Sequence, residues 1–355
     1  MRILVINSGS SSIKYKLFEM PQARLVSKGA IDHIGEVGSK FSNHYSGLKI
    51  ILDEVKLIDV VGHRVVHGAE KFKKPVIVDQ NVIKGIKKCC EIAPLHNPAN
   101  LSGILACQKL LPGIKQVAVF DTAFHQSLPE HAFIYGLPYD YYRKLEIRKY
   151  GFHGTSHEYV AHEASRILKK PLNKLKLITC HLGNGSSITA IDKGKSVDTS
   201  MGYTPLEGLV MGTRCGDTDP ALITHIMHKK KIDTKEMDRI LNKESGLKGI
   251  SGISNDMRLL EEKSAAGNRR ARLAVDIFVY RIRKYIGAYL AVLCGLDALI
   301  FTAGIGENQA RVREKICRGL FSCLLKKPKI LVIPTNEELM IARQAYKLIK
   351  GENKC

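Results

Sequence analysis

The sequence has 355 residues, of which 45% are hydrophobic and 25% are charged, and its formal net charge is +21. This length suits two domains, and this composition is that of a globular protein, which excludes a disordered or fibrous chain. The lysines are scattered, and no aromatic residues interleave with a basic stripe, so we expect a solvated basic surface without a specific nucleic-acid partner.

Cysteine usage and hydropathy indicate a cytoplasmic protein without a membrane segment. Nine cysteines occur without a C-x-x-C pair, which favours a reducing compartment over a disulfide framework. The apolar run near the N-terminus, Ile3–Ile6, is too short for a signal peptide. The longest apolar stretch, Tyr285–Leu296, is shorter than the ~20 residues that span a bilayer.

In chain order, the first predicted element is a β-hairpin. An apolar run at Ile3–Ile6 leads into the turn-forming cluster Asn7–Ser12, and Ile13–Phe18 then alternates apolar and polar residues. Later strands are predicted at Ile58–Val61, Val117–Phe120, Leu177–Cys180, Leu299–Thr302 and Ile330–Ile333. Helices are predicted at Asn81–Ala93, Ala99–Leu110, His157–Leu168 and Arg270–Leu293. Strands mixed with helices indicate an α/β fold.

The sequence pattern of the first hairpin is repeated about half a chain later. The segment Ile3–Ile13 resembles Ile178–Ile188, and each reads as a strand, a Gly/Ser turn and a returning strand. Two such copies indicate a duplicated domain, although chance similarity between two Gly/Ser turns is an equally good explanation of this feature alone.

The two Gly/Ser turns are candidate anion sites, because tight turns of small residues expose backbone N–H groups. An ordinary hairpin turn is the commoner role of such a sequence. Lys14 favours the functional interpretation in the first turn, since it lies in the returning strand, and Asn7 is suited to holding a metal-bound water.

Other nucleotide and metal signatures are absent from the sequence. Gly194–Ser196 resembles the end of a phosphate-binding P-loop, but Thr189 stands where the first glycine is required. Gly304–Gln309 lacks the third glycine of a dinucleotide-binding loop. His157 and His162 are five residues apart, which makes them a poor zinc pair on a helix.

Polar side chains near predicted strand ends suit phosphoryl transfer, in which positive charge and positioned donors stabilise a spread negative charge. Arg64 and Arg214 are candidates to hold a carboxylate and the moving phosphoryl group. His153 is a candidate donor to that group, and Asp121 is a candidate to orient Mg²⁺ or the acceptor. Each of these residues, taken alone, is more typical of a structural role.

A last helix is predicted by the capping box Thr335–Glu338, with Thr335 as the N-cap and Glu338 at N3. This assignment leaves Glu337 to hold Mg²⁺ through water, or simply to complement the helix dipole.

Taken together, the sequence segments that contain these residues resemble the acetate kinase family. The resemblance runs nearly from end to end, and the segments that carry it are Asn7–Lys14, His63–Gly68, Ala93–Pro98, Phe120–His125, Arg148–His157, His181–Ser187, Asp198–Gly208, Gly212–Arg214, Phe301–Asn308 and Pro334–Leu339. Many long blocks in the same order are far more specific than any one motif.

The resemblance implies an α/β fold of two duplicated ribonuclease H-like (actin-like ATPase) domains with a cleft between them. The implied N-terminal domain is 1–125 plus 338–355, and the implied nucleotide-binding domain is 126–337. The implied activity is reversible, direct in-line transfer of the γ-phosphoryl group of ATP to acetate, giving acetyl phosphate and ADP. Mg²⁺ is the implied cofactor, with Mn²⁺ as an alternative, and the implied assembly is a cytoplasmic homodimer.

The resemblance also implies residue roles. The catalytic positions are Asp121, His153 and Arg214. The substrate carboxylate is expected at Arg64, and the acyl pocket at Val66, Leu95, Phe152 and Pro205. The metal positions are Asn7 and Glu337. The nucleotide positions are Ser10, Ser12, Lys14, His181, Leu182, Gly183, Asn184, Gly185, Asp256, Met257, Arg258, Gly304, Ile305, Gly306, Glu307 and Asn308.

The chain also departs from the family pattern, because it is shorter after Leu25 and at Leu324–Lys329, which concerns stability and dimer contacts more than chemistry. A propionate or butyrate kinase is the nearest alternative, and Val66 is the position that discriminates. A nucleotide-binding interaction protein that has lost catalysis is an alternative from another class.

Overall fold

The chain forms two compact units in a computed structural model that describes residues 1–36, 38–322 and 324–351. The first unit comprises Met1–Gln126, Gly154–Tyr159 and the segment that begins at Asn336. The second unit comprises Ser127–His153 and Val160–Thr335.

The first unit is built on a sheet of six strands within its described residues. These strands are β1 (Arg2–Ser8), β2 (Ile13–Glu19), β3 (Arg24–Ile31), β4 (Val60–Val65), β5 (Val76–Ile77) and β6 (Lys115–Phe120). Their order is β3-β2-β1-β4-β6-β5. β1, β2 and β3 form an antiparallel meander, β4 and β6 continue the sheet parallel to β1, and β5 is antiparallel at the edge.

The second unit repeats this topology without the extra edge strand. Its strands are β7 (Lys176–Leu182), β8 (Ser186–Asp192), β9 (Lys195–Thr199), β10 (Ala298–Thr302) and β11 (Lys329–Val332). Their order is β11-β10-β7-β8-β9, with an antiparallel β7–β8–β9 meander and with β10 and β11 parallel to β7. The two Gly/Ser turns therefore join equivalent strands, β1 to β2 and β7 to β8, and the predicted duplication is confirmed.

Helices connect and cover these strands. The helices are α1 (His44–Glu54), α2 (Gln80–Lys88), α3 (Asn97–Leu110), α4 (Glu130–Phe133), α5 (Asp140–Leu145), α6 (Gly154–Leu168), α7 (Pro220–Lys230), α8 (Thr234–Arg239), α9 (Gly246–Ser251), α10 (Met257–Ala265), α11 (Arg269–Leu293), α12 (Ala303–Asn308), α13 (Ala310–Cys317) and α14 (Glu337–Lys350). Among the described residues, no helix combines the length and hydropathy needed to cross a membrane.

Alternation along β1 explains how the first sheet is covered on both faces. Leu4 and Ile6 face a core that includes residues of α1 and α3, whereas Ile3 and Val5 face a core that includes residues of α14. Successive side chains of a strand point to opposite faces, so one apolar run supplies both layers. α14 packs closely on this sheet, since a Cβ at Gly62 of β4 would lie 2.9 Å from Ile341 Cγ2. In the second unit, α11 covers β7.

Two predicted elements have different bounds in the structure. β4 continues to Val65, so His63 and Arg64 lie inside the strand and not after it. His63 is accommodated because its Nε2 is 2.7 Å from the side chain of Gln116 on β6, and burial lowers the pKa of His63 to about 4. The helix predicted to reach Ala93 ends at Lys88. After this point the N–H groups of Cys90 and Glu91 bond to carbonyls three residues earlier, and not four.

The predicted capping box at Thr335 is wrong by one residue. The N-cap of α14 is Asn336, whose side chain accepts a hydrogen bond from the backbone N–H of Leu339 at 3.2 Å. The backbone N–H of Thr335 instead donates to Glu307 Oε1 at 3.0 Å. Glu338 is therefore not the N3 residue, and it forms an ion pair of 2.8 Å with Lys16.

A buried carboxyl group on α6 gives a pH-dependent stability. Burial raises the pKa of Glu158 from 4.5 to about 7, while Lys347 and a hydrogen bond from Gln344 Nε2 oppose the rise. Between these two pH values the unfolded chain loses the proton and the folded chain keeps it, so stability falls as the pH rises. One pKa unit corresponds to ~1.4 kcal/mol, so the free energy of unfolding is lower by ~3 kcal/mol above pH 7 than below pH 4.5.

We expect Glu158→Gln to increase the free energy of unfolding at pH 8 by ~1–3 kcal/mol, and to change it little at pH 4. The new amide can also donate to Gln344 Oε1, which has no partner among the described residues. Urea unfolding at the two pH values measures the effect, and Glu262→Gln, whose side chain is 69% exposed, is the control. Equal effects of Glu158→Gln at both pH values would contradict the assignment.

Candidate active site

The first loop, Asn7–Lys14, has the geometry of an anion-binding turn. The backbone N–H of Gly9 donates to the carbonyl of Ser12 at 2.7 Å, which closes the turn. The carbonyl of Ser11 accepts from the N–H of Ile34 at 2.9 Å. Within the described part of the chain, no acceptor is bonded to the N–H groups of residues 10–12, so the loop presents donors. Ser10 and Lys14 are exposed, and Ser12 is half-buried.

Arg64 and Asp121 form the centre of the first unit's polar group. Arg64 projects from β4, and Asp121 directly follows β6, so parallel neighbouring strands bring them together. Arg64 Nη2 is 2.6 Å from Asp121 Oδ2, and Arg64 Nε is 3.1 Å from both carboxylate oxygens. The Asp121 side chain is 2% exposed, and Thr155 Oγ1 donates to it at 3.4 Å. Burial opposes the charge on Arg64, but Asp121 and Glu337 raise the pKa of Arg64 overall.

Glu337, the first residue of α14, faces the same arginine. Its Oε2 is 3.9 Å from Arg64 Nε, and Arg64 Nη1 lies 3.5 Å from Asn7 Oδ1. Lys16 fixes the start of α14 because it binds Asn336 Oδ1 at 3.2 Å and Glu338 at 2.8 Å, on either side of Glu337.

The electrostatics around Glu337 favour an additional cation. The pKa of Glu337 is raised to about 7, chiefly by burial and also by the charges of Asp121 and Glu338, while the charge of Arg64 opposes the rise. Asp121, Glu337 and Asn7 supply only oxygen atoms, which Mg²⁺ prefers. In the part of the chain that the structure describes, no group of three His, Cys, Asp or Glu side chains has metal-ligand geometry. Mg²⁺ would fit here only with waters or substrate phosphates as further ligands.

His153 and His181 form a stacked pair in the second unit. His181 is at the end of β7, and the two rings are 4.1 Å apart with an interplanar angle of 18°. His153 immediately precedes α6, has φ +56°, and its Nδ1 is 3.0 Å from Ser187 Oγ. A left-handed backbone at a non-glycine residue costs ~1–3 kcal/mol and occurs often at functional sites.

Arg214 comes together with His153 at the second loop, His181–Ser187. A Cβ built on Gly185 would lie 3.4 Å from both Arg214 Nη1 and His153 Nε2, so both side chains border this glycine. Arg214 Nη1 donates to the carbonyl of Pro205 at 3.4 Å, and no described carboxylate forms an ion pair with Arg214. Burial lowers the pKa of Arg214. A partly buried guanidinium without a counter-ion is suited to an anionic ligand.

The rest of the second loop is held by neighbouring turns. The carbonyl of Asn184 accepts from Gly212 N at 3.0 Å, and Asn184 Oδ1 accepts from Asn255 Nδ2 at 2.9 Å. A Cβ at Gly212 would lie 2.1 Å from Asn184 Oδ1, so a larger residue there would displace the Asn184 side chain. Gly183 is half-buried, whereas the Leu182 side chain is part of the hydrophobic core.

The predicted nucleotide residues 256–258 begin α10. Asp256 is the N-cap, and its carboxylate accepts from Arg258 N at 2.9 Å and pairs with the Arg258 side chain at 2.7 Å. The Arg258 guanidinium is the first cause of the lowered pKa of Asp256. The Met257 side chain lies in the core. Only Asp256, Arg258 and the backbone are therefore exposed to a ligand.

The predicted segment Gly304–Asn308 forms most of α12. Gly304 and Asn308 are exposed, whereas Ile305 packs against the core and Gly306 is buried. Glu307 Oε1 accepts from the N–H groups of Ala303 at 2.8 Å and Thr335 at 3.0 Å. The Glu307 carboxylate thus binds the protein's own backbone.

The four predicted acyl-pocket residues are divided between the units. In the first unit Val66 is buried and Leu95 is 52% exposed. In the second unit Phe152 is buried and Pro205 is half-buried. Their joint role around a methyl group stays a prediction.

Sequence reasoning did not identify two buried asparagines of α3 that border the first-unit group. Asn97 exchanges two hydrogen bonds with the backbone of His67, at 3.0 and 2.9 Å. Asn100 binds the N–H of Val66 at 3.0 Å and the carbonyl of Ser8 at 2.7 Å. The available signal was their spacing of three, which places both on the buried side of α3, where amides require partners.

Comparison with known proteins gives a consistent result. Residues 39–327 match the model of the acetokinase family. The acetate kinase of Halothermothrix orenii is 52% identical over 398 aligned positions, which cover 99% of this chain and 100% of that protein. The acetate kinase of Treponema denticola is 50% identical over 397 positions, with 99% and 100% covered. Both alignments are longer than this chain, in agreement with its predicted shorter segments.

Solved structures agree with the sequence comparison. The acetate kinase of Porphyromonas gingivalis superimposes with a TM-score of 0.91 at 41% identity, covering 98% of this chain and 99% of that one. A propionate kinase from Francisella tularensis gives a TM-score of 0.92 at 41% identity, with the same coverage. The resemblance predicted from the sequence blocks is confirmed, and the chain belongs to the acetokinase family.

Proposed function

We propose that this chain is an acetate kinase, which transfers the γ-phosphoryl group of MgATP to acetate reversibly and in line, giving acetyl phosphate and ADP. The observation that carries the proposal is a cationic group in each unit, namely Arg64 bonded to Asp121 in the first and Arg214 beside His153 in the second. Curated relatives at about 50% identity over nearly the whole chain carry the name acetate kinase.

In the first unit, Arg64 is assigned to the acetate carboxylate. A guanidinium has five N–H donors, of which Asp121 takes the Nε–H and one Nη2–H. The Nη1 edge, which is 3.5 Å from Asn7, retains donors for a second carboxylate. Asp121 thereby fixes the plane of the guanidinium, so that acetate is held in one orientation.

In the second unit, His153 and Arg214 are assigned to the phosphoryl group. The transition state is loose and carries its charge on three equatorial oxygens, so donors fixed before the reaction lower the barrier. Ser187 at Nδ1 and the stacked His181 ring hold the imidazole of His153 in place. The same charges stabilise one transition state that the forward and reverse transfers share, so both directions are accelerated.

Mg²⁺ is the proposed cofactor, and Asn7 and Glu337 are its proposed protein contacts. When bound, the ion neutralises charge on the β- and γ-phosphates. We expect Glu337→Gln to raise the Mg²⁺ concentration that gives half-maximal activity by about tenfold, because the amide lacks the negative charge. Titration of activity with Mg²⁺ measures this, with Glu262→Gln as the control. An unchanged midpoint would exclude Glu337 as a metal contact. Substitution of Mn²⁺ tests the alternative ion.

A hydroxylamine trap tests the proposed reaction. Purified protein with MgATP, acetate and hydroxylamine should form acetyl hydroxamate and ADP in equal amounts, and omission of acetate should stop both. Folded protein that binds MgATP and yields no hydroxamate would contradict the proposal.

A propionate kinase is the second candidate, because a propionate kinase and an acetate kinase are equally similar to this chain at 41% identity. Val66 favours acetate, since a smaller residue at this position would leave room for one more methylene. A methylene contributes only ~1–3 kcal/mol to discrimination, so overlapping activity is expected. The ratio of kcat/KM values for acetate and propionate decides between the two, and butyrate is included as a third acceptor.

The remaining alternative is an interaction protein that binds nucleotide without catalysis. It would be supported if MgATP bound and no acyl acceptor were phosphorylated. Salt-sensitive DNA retention at physiological ionic strength would indicate a nucleic-acid role for the +21 charge.

A cytoplasmic homodimer is also proposed. Cell fractionation tests the location, and sedimentation equilibrium tests the assembly.

A further inference from the structure

Two side chains from different helices bind consecutive carbonyl groups of the first loop. Asn100 Nδ2, from α3, donates to the carbonyl of Ser8 at 2.7 Å. His44 Nε2, from the first residue of α1, lies 2.7 Å from the carbonyl of Gly9. Neither side chain was predicted to have a role, and neither belongs to the polar groups described above. Both contacts are short and lie within the first unit.

Peptide geometry converts these contacts into an orientation of the loop's N–H groups. In a planar trans peptide, the carbonyl and the N–H of the next residue point in opposite directions. The bond from Asn100 to the Ser8 carbonyl therefore turns Gly9 N–H the other way, where it donates to Ser12. The bond from His44 to the Gly9 carbonyl turns Ser10 N–H away from His44. An anion at this side of the loop would meet the N–H of Ser10 and not the carbonyl of Gly9.

The chemistry of each contact is determined by the acceptor. A carbonyl oxygen can only accept, so Nε2 of His44 carries the hydrogen. Asn100 is 4% exposed, and both ends of its amide are bonded, because Oδ1 also accepts from the N–H of Val66 at 3.0 Å. Asn100 thus joins the end of β1, next to Asn7, to the residue two positions after Arg64.

We propose that Asn100 and His44 are positioning residues of the phosphate-binding turn. His44 orients the N–H of Ser10 toward the nucleotide phosphates, and Asn100 holds the Gly9 N–H in the bond to Ser12 that closes the turn. This proposal rests on the proposed function only in taking a nucleotide phosphate as the ligand of the first loop. Asn100 additionally links the position of that loop to the position of the Arg64 strand. A purely structural role would alter stability without altering nucleotide affinity.

Asn100→Asp tests the first contact. The aspartate keeps the size and the acceptor for Val66, but it replaces the donor to Ser8 with an oxygen. Asn97→Asp is the matched control, because Asn97 is equally buried on α3 and loses the same kind of donor, but to His67. We expect the Kd for MgATP, measured by calorimetry, to rise about 10- to 100-fold in Asn100→Asp and less than threefold in Asn97→Asp.

His44→Leu and His44→Gln test the second contact at a half-buried residue. Leucine removes the donor, and the Gln amide restores an N–H at a similar distance along the side chain. We expect leucine to raise the Kd for MgATP about tenfold and glutamine to restore most of it. Tyr45→Leu, on the next residue of α1, is the control, and the thermal midpoint of every variant is recorded.

Three outcomes would overturn the proposal. The first is equal loss of MgATP affinity in Asn100→Asp and Asn97→Asp. The second is a loss in His44→Leu that follows its thermal midpoint and is not rescued by glutamine. The third is wild-type affinity in His44→Leu, which decides the case even where Asn100→Asp does not fold. Because MgATP binding is measured without an acceptor, failure of acetate phosphorylation would leave this result interpretable.

Discussion

Arg214→Ala is expected to lower kcat at least ~100-fold while the fold remains intact, because the loss of one preorganised donor costs ~3 kcal/mol at the barrier. Arg214 forms no ion pair with any described carboxylate, so its removal leaves no orphaned acidic partner. The side chain instead borders Gly185 together with His153 Nε2. The KM for acetate should change little, since Arg64 and not Arg214 is assigned to the carboxylate.

The measurement is steady-state kinetics of Arg214→Ala and Arg214→Lys, with circular dichroism as the check on folding. Lysine retains a charge but not the planar fork, so we expect it to recover only part of the rate. Arg166→Ala is the control, because Arg166 is 75% exposed and pairs only with its helix neighbour Glu163 among the contacts resolved for it. A rate for Arg214→Ala within threefold of the wild type would remove Arg214 from the mechanism.

The duplicated fold could be predicted from the sequence because its signal is local. Ile3–Ile6 and Leu177–Cys180 are apolar runs that lead into Gly/Ser turns, and the structure has β1 and β7 at these positions. The repeated pattern alone is enough to predict that β1 and β7 occupy equivalent positions in the two sheets. The family resemblance then implied the fold class, which local patterns leave open.

The errors at element bounds arise where distant residues decide. The predicted strand Ile58–Val61 ends before His63 and Arg64, because charged residues are uncommon inside buried strands. In the structure they belong to β4 because Gln116 and Asp121, more than 50 positions away, satisfy them. No local pattern in the sequence contains that information.

The shift of the last N-cap has the same cause. Thr335 and Asn336 are both good N-cap residues, so local preference hardly separates them. The carboxylate of Glu307 binds the N–H of Thr335, and Lys16 binds the side chain of Asn336. These contacts place the first turn of α14 one residue later. The two asparagines of α3 have no local signature for a related reason, since their partners are backbone groups at least 30 positions away in the sequence.

The second large effect is expected for Asp121→Asn, which should lower kcat/KM for acetate at least ~100-fold and destabilise the protein by ~3 kcal/mol. The carboxylate accepts from Arg64 at Nε and Nη2 and is 2% exposed, so an amide would leave the guanidinium without its principal counter-charge. Glu337, at 3.9 Å, is positioned to take part of that charge and to pull Arg64 away from the acceptor. The KM for acetate should therefore rise together with the fall in kcat.

Asp140→Asn is the matched control, because Asp140 pairs with Lys144 at 2.6 Å but is 57% exposed. An exposed pair contributes ~0–1 kcal/mol, so its loss should leave both stability and kinetics nearly unchanged. The split between kcat and KM in Asp121→Asn then decides how the aspartate acts. A large rise in the KM for acetate means that Asp121 works through Arg64, whereas a fall in kcat alone would assign it to the phosphoryl group. Activity within threefold of the wild type would contradict both roles, because each role requires the Asp121 carboxylate during the reaction.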